Sequence, residues 1–193
     1  FECSQPWQKS MKDKAIEFGK EYFAAKDEGR KLPWLYIGGQ SGSGKTHLCT
    51  AVCGVMLKKG VPVRYMRWAT DSRKLRAIRN SPEYDGMFER LCNAEILYID
   101  DLFKQKSHKT INVTEAETYV LFELLNERMM QNKSTIISSE WYLRSEMIEQ
   151  VDDGTFGRVY QMTGYGRFDI SIKRDTENNY RIKSGVKKDE GAD

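Results

Sequence analysis

Hydrophobic positions along this chain follow two alternating rhythms. Short apolar runs rich in β-branched and aromatic residues recur at Trp34 to Ile37, Val61 to Met66, Ala94 to Ile99, Thr135 to Ser139 and Phe168 to Ile172, and each predicts a strand. Between them apolar residues return every three or four positions, the helical period. A lead-in helix is expected from Gln8 to Lys26, with Met11, Ile16, Phe18, Tyr22 and Phe23 as its apolar face, ended by Gly29 and Pro33. Thr46 to Lys59 reads as a second helix through Leu48, Val52, Val55 and Met56. Further helices are expected over Asp71 to Asn80, Ser81 to Asn93 with Pro82 in its first turn, Thr114 to Gln131, Tyr142 to Gln150 and Asp153 to Met162. Leu102 to Val113 is polar and Lys-rich and predicts a loop, and Tyr180 to Ile182 predicts a last short strand. Strands alternating with helices over short connections predict an α/β domain with a mainly parallel five-stranded sheet covered on both faces.

Between the first strand and its helix stands Gly39-Gln-Ser-Gly-Ser-Gly-Lys-Thr46, a match to the phosphate-loop pattern G-x-x-x-x-G-K-[ST] in the strand-loop-helix context that pattern requires. Gly39, Gln40, Ser41, Gly42, Ser43 and Gly44 would wrap backbone N–H groups around phosphates. Lys45 would reach the outer phosphates and Thr46 would hold Mg²⁺, while His47 follows in the first helical turn, where the helix N-terminus adds positive potential. The expected cofactors are ATP or ADP with Mg²⁺. The third apolar run ends in Asp100 and Asp101, at the carboxyl end of a strand expected to lie near the phosphate-loop strand. Asp100 is the candidate second support of Mg²⁺, and Asp101 is the candidate acid that polarises an attacking water. The plainer alternative is a pair of acids ending a strand.

Composition bounds the rest. With 193 residues and 39% hydrophobic content the chain can bury one domain well. Thirty-one basic residues against 28 acidic give a net charge of +3, so any nucleic-acid contact must come from local clusters. Cys3, Cys49, Cys53 and Cys92 form neither a disulfide framework nor a C-x-x-C zinc pattern and read as reduced thiols. No run reaches membrane-spanning length and no signal peptide is visible, so a cytoplasmic protein is expected. The chain begins at Phe1, which suggests a fragment, and the segment 184–193 is charged and reads as a disordered tail.

Several further residues are candidates with competing plain readings. Ser139 or Glu140, closing the fourth strand, could contact the γ-phosphate, or cap the next helix. Arg158 could act as an arginine finger on a neighbouring subunit's nucleotide, and Arg128 is a weaker candidate for a nucleotide role; surface arginines are the alternative. Arg64, Arg67, Arg73, Lys74, Arg76 and Arg79, interleaved with Tyr65 and Trp68, have the composition of a single-stranded DNA groove, or of a solvated helix face. Lys104, Lys106 and Lys109, with His108, are a lesser cluster of the same kind.

The phosphate loop through Cys49, Val61-Pro-Val-Arg-Tyr-Met66, Ile96-Leu-Tyr-Ile-Asp-Asp-Leu102, Thr135-Ile-Ile-Ser-Ser-Glu-Trp141 and Gly157-Arg-Val-Tyr160 together resemble the AAA+ domain of DnaC/DnaI-type replicative helicase loaders, bacteriophage and prophage branch, over roughly residues 7 to 183. The resemblance implies a P-loop NTPase of AAA+ type with little or no C-terminal lid, residues 1–30 as a lead-in segment and 31–183 as the ATPase domain. It implies an ATPase acting at replication initiation in a bacterial cell, encoded by the bacterium or by a phage. Its expected partners are a replicative DNA helicase, single-stranded DNA and further copies of itself assembled through the ATP site. By position it implies Lys45, Thr46 and Asp100 as nucleotide and Mg²⁺ ligands, Asp101 as hydrolytic acid and Arg158 as finger. Rival readings are a transposition helper of the related IstB type, a small-molecule phosphotransferase, and a non-hydrolysing nucleotide-gated adaptor.

Overall fold

The computed structural model describes residues 5–105 and 110–181. Its elements in chain order are α1 (Pro6–Asp27), β1 (Leu35–Gly39), α2 (Lys45–Lys58), β2 (Val63–Arg67), α3 (Trp68–Ala77), α4 (Glu83–Cys92), β3 (Ile96–Leu102), α5 (Glu115–Met130), β4 (Ser134–Ser139), α6 (Asp153–Met162) and β5 (Asp169–Ile172). All strand pairings are parallel, in the order β2-β3-β4-β1-β5. Parallel strands need crossovers, and the helices supply them on both faces of the sheet.

Because both faces are covered, the strands read in sequence as continuous apolar runs, while their side chains alternate between two cores. Leu35, Ile37, Ile96, Tyr98 and Ile136 point to the core built by α1 and α2. Tyr36, Leu97, Ile99 and Ile137 point to the one built by α3 to α6. α1 packs within the domain rather than beside it: Phe18 meets Phe168 edge to face, 5.8 Å between ring centroids. Two helix starts are capped as their sequences dictate. Thr114 and Glu117 form a reciprocal capping box that opens α5, and the Asp152 carboxylate accepts from Gly154 N and Thr155 N to open α6.

Several expectations are corrected. The buried stripe of α1 runs Met11, Ala15, Phe18, Tyr22, Ala25, so Ile16, one residue and about 100° off it, is half exposed. Val55 on α2 is displaced from Met56 in the same way and is also half exposed. Leu102 closes β3 and is buried, as is Phe103, so the loop begins later than the polar composition implied. The segment near Tyr142 is a π-helical turn, Leu143–Ile148. Tyr180 and Arg181 are helical rather than extended, and Ile182 lies outside the described residues, as do Cys3, Lys106, His108, Lys109 and the segment 184–193. No helix among the described residues is long and apolar enough to cross a membrane.

Arg128 receives the plainest correction. Its guanidinium is fully buried at the C-terminal end of α5. It donates to Leu91 O at 2.7 Å, Cys92 O at 3.0 Å, Ala94 O at 2.9 Å, Thr135 Oγ1 at 3.0 Å and Ser134 O. One side chain thereby closes the C-terminal carbonyls of α4 and the start of β4, which leaves it no reach to a nucleotide. Burial lowers its pKa to about 10, so it stays charged at neutral pH. Arg128→Leu strands four buried acceptors and the part-buried Ala94 carbonyl, and we expect a loss of about 3–5 kcal/mol of stability. The urea midpoint measures this, and a shift of less than a third of that size would remove Arg128 from its structural role.

Candidate functional site

The site grows from the carboxyl ends of β1, β3 and β4, where strand edges and the N-terminus of α2 converge. Gly39 to Gly44 turn from β1 into α2. Gly44, the residue before the helix, holds φ +92°, a conformation costly for any residue with a Cβ. Gly42 also holds a positive φ, +70°, which strains any residue with a Cβ, and an added Cβ would have to displace the Asn179 side chain. Lys45 is buried, and its ammonium donates to Gly39 O at 2.8 Å and Gln40 O at 2.7 Å. Burial lowers its pKa to about 8, against the pull of Glu140 and Asp101. The segment after β5 lies across the loop: Asp175 N donates to Gln40 Oε1 at 2.9 Å and Tyr180 N to Gly42 O at 3.0 Å. Ser43 Oγ donates to Gln40 O at 2.8 Å. A cleft of about 260 Å³ opens beside it, reached by Ser41, His47, Asp101, Lys104, Glu140 and Arg181.

Asp100 is the centre of this end of the sheet. It is 5% exposed and accepts four hydroxyl hydrogen bonds. Tyr98 OH at 2.6 Å, Ser138 Oγ at 2.7 Å and Thr46 Oγ1 at 3.1 Å reach Oδ1, and Tyr65 OH at 2.8 Å reaches Oδ2. Burial works to raise its pKa, but the hydroxyl donors outweigh it and hold the carboxyl below the usual range. Thr46 and Asp100 thus offer adjacent hard oxygens, the donor type that suits Mg²⁺, beside a glycine loop and a lysine that suit phosphates. Asp101 takes φ +55°, away from Asp100, and its carboxylate pairs with Lys104 at 2.8 Å.

The structure separates the two serines of the fourth strand. Tyr98 stands opposite Ile136 in the parallel register, so two residues further Asp100 meets Ser138, not Ser139. Ser139 is fully buried, donating to Leu102 O and accepting from Trp141 N. The polar group facing the acid is therefore Ser138, which the sequence reading passed over; counting equal steps along the two strands from the apolar run would have found it. Tyr65 and Tyr98 were missed because tyrosines in a strand read as packing residues.

A model of the IstB-like ATP binding proteins matches residues 33–153. The chain belongs to this family. Two Bacillus subtilis (strain 168) proteins are similar to it: the phage-like element PBSX protein XkdC, 31% identical over 156 residues, covering 79% of this chain and 56% of XkdC, and YqaM, 31% identical over 149 residues, covering 77% and 45%. The chain spans about half the length of these curated relatives. A crystal structure of the DnaC helicase loader matches with a TM-score of 0.71 over 91% of this chain and 94% of that one, at 16% identity. The fold is therefore the P-loop AAA+ arrangement, as the family resemblance implied.

Beyond the cleft, this IstB-like chain scatters the remaining candidates. Arg158 lies on α6 with its guanidinium over the Phe122 ring, 5.3 Å from the centroid, in a small cavity beside Trp34. Trp34 precedes β1, whereas the phosphate loop follows it, a separation of roughly 17 Å along the strand, so Arg158 is far from its own loop. The basic segment is divided. Arg64 and Arg67 are exposed on edge strand β2 and Arg73 on α3, but Lys74 pairs with Asp71, Arg76 with Glu117 and Arg79 with Glu123. Its aromatics differ: Trp68 is buried against Phe103, whereas Tyr65 is half exposed with its hydroxyl held by Asp100.

Proposed function

We propose that the chain is the ATPase module of a replicative helicase loader, binding ATP with Mg²⁺ and assembling with further copies and single-stranded DNA. The observation that carries the ATPase part is the 3.1 Å hydrogen bond from Thr46 to a buried, ionised Asp100 beneath the glycine loop. In this reading the loop N–H groups and Lys45 bind the phosphates, and Thr46 and Asp100 would hold Mg²⁺, which would supply charge neutralisation at the outer phosphates. Asp101 orients the attacking water and accepts its proton, and Ser138 fixes the turn that carries Asp101 through the 3.2 Å bond from Asp101 N. Arg158, remote from its own loop, would serve a neighbouring copy. Arg64, Arg67 and Arg73 are the exposed cations for a DNA backbone.

The loader reading draws support from the similarity to a protein of a phage-like element and from the DnaC-like fold. The family description favours a second reading, a transposition helper that would act with a transposase. Partner capture separates them. The loader reading expects a hexameric replicative helicase to co-purify in the presence of ATP; retention of a transposase with no helicase bound would overturn it. Within the complex, Arg158→Ala should keep nucleotide binding and lose at least about tenfold in stimulated turnover.

Lys45 gives a pH signature. Bound phosphates stabilise its ammonium, so binding takes up a proton wherever the free lysine has lost it. With a pKa of about 8, affinity for an ATP analogue should be flat from pH 7 to about 7.5 and fall progressively between pH 8 and 9.5. Titration calorimetry in two buffers of different ionisation enthalpy reads the proton uptake directly. Lys45→Ala should abolish binding; unchanged affinity in that variant would refute the phosphate-site assignment.

A further inference from the structure

Lys104 follows β3 at the rim of the cleft. Its ammonium lies 2.8 Å from Asp101 Oδ2 and 3.8 Å from Glu140 Oε1, so one cation bridges two carboxylates that come from the ends of adjacent strands. Glu140 is only 4% exposed, and Lys104 is more than a third exposed. The backbone beneath Lys104 is fixed. The chain turns through Asp101 and Phe103, both at positive φ, Lys104 N donates to Asp101 O at 3.2 Å, and the Phe103 ring is buried against Trp68. What can move is the four-carbon stem that carries the charge.

Sheet order gives this placement a meaning. The phosphate loop leaves β1, and β4 and β3 follow beside it, so Glu140 and Asp101 form the wall of the cleft opposite the loop. Inner phosphates of a nucleotide held by the loop N–H groups would lie against α2, and the outermost third phosphate, reached by Lys45, would extend toward that wall. There it would meet two carboxylates, one of them nearly buried, and like charges at close range repel. Besides Lys45 and a metal at Thr46 and Asp100, the cation placed on that wall is Lys104, 2.8 Å from one carboxylate and 3.8 Å from the other.

We propose that Lys104 is a second phosphate lysine, which swings from the Asp101 and Glu140 carboxylates to the third phosphate and makes the cleft select triphosphate over diphosphate. The same movement releases the Asp101 carboxylate. This rests on the nucleotide-site reading above, and it goes beyond it by assigning the selectivity to a residue outside the phosphate loop. A surface lysine merely paired with the acid three residues before it would contribute little and would not discriminate between nucleotides.

Equilibrium binding of fluorescent ADP and of a fluorescent non-hydrolysable ATP analogue, each with Mg²⁺, to the unaltered chain, Lys104→Ala, Lys104→Arg and Lys45→Ala tests it. Lys104→Ala should weaken the triphosphate analogue by at least about tenfold while leaving ADP within about threefold, and Lys104→Arg should restore most of the triphosphate affinity. Preserved ADP binding also reports that the variant folds. Equal losses for the two nucleotides, or no loss for either, overturn the assignment to Lys104. The nucleotide-site reading fails separately, by an unaltered chain that binds neither nucleotide or a Lys45→Ala variant that binds both as before.

Discussion

The carboxyl end of the sheet is organised around the buried carboxylate of Asp100. Asp100 is 5% exposed, and an ionised carboxylate there is costly unless its oxygens are fully satisfied. Four hydroxyls satisfy it, each from a different element: Thr46 from α2, Tyr65 from β2, Tyr98 from β3 itself and Ser138 from β4. The acid can be accommodated only if these four elements stand in this order and register, so the charge constrains the fold as much as the fold positions the charge. Neutral hydroxyl donors leave the negative charge uncancelled, unlike a buried ion pair. The carboxylate therefore remains available to a cation arriving at Thr46.

The fold was largely legible in the sequence because both sheet faces are buried. Five apolar runs separated by helical periods leave few arrangements, and a glycine loop at the end of the first run indicates where the ligand edge lies. Where the reading failed, tertiary geometry decided. A helix face is set by which residues meet a neighbour, so small Ala15 and Ala25 are buried on α1 while the larger Ile16 is left at the surface. A cluster of arginines looks alike whether it faces solvent or carboxylates. Glu117 and Glu123 of α5, some forty residues away in sequence, decide that Arg76 and Arg79 belong partly to the fold. Arg128 looked like a helix-end cation, yet four of its five partners are backbone carbonyls, which carry no sequence signal at all.

The serine at the site illustrates the limit at the scale of a single residue. Ser138 and Ser139 are chemically identical neighbours, and a shift of one position turns the hydroxyl from one face of the sheet to the other. The pairing of Tyr98 with Ile136 settles the face, and the irregularity of the ladder after Ile99 leaves Ser139 opposite Leu102 instead. That irregularity also has a use. By breaking the pleat after Asp100 it sends Asp101 into a left-handed turn, so that two consecutive acids serve different sides, one toward Thr46 and one into the cleft.

Both lysines of the cleft are engaged within the protein itself, Lys45 with loop carbonyls and Lys104 with the opposing carboxylates. Phosphate binding at such a site exchanges bonds rather than adding them, and the net gain is smaller than the sum of the new contacts. The segment after β5 works in the other direction. Its bonds from Asp175 and Tyr180 to the phosphate loop, and the side chain of Asn179 over Gly42, hold the loop in place and reduce the ordering that a ligand must impose. A preformed loop with self-engaged lysines favours a ligand according to how many phosphates it presents to both walls at once. That property fits a switch that distinguishes nucleotide states better than it fits a site built for the tightest possible binding.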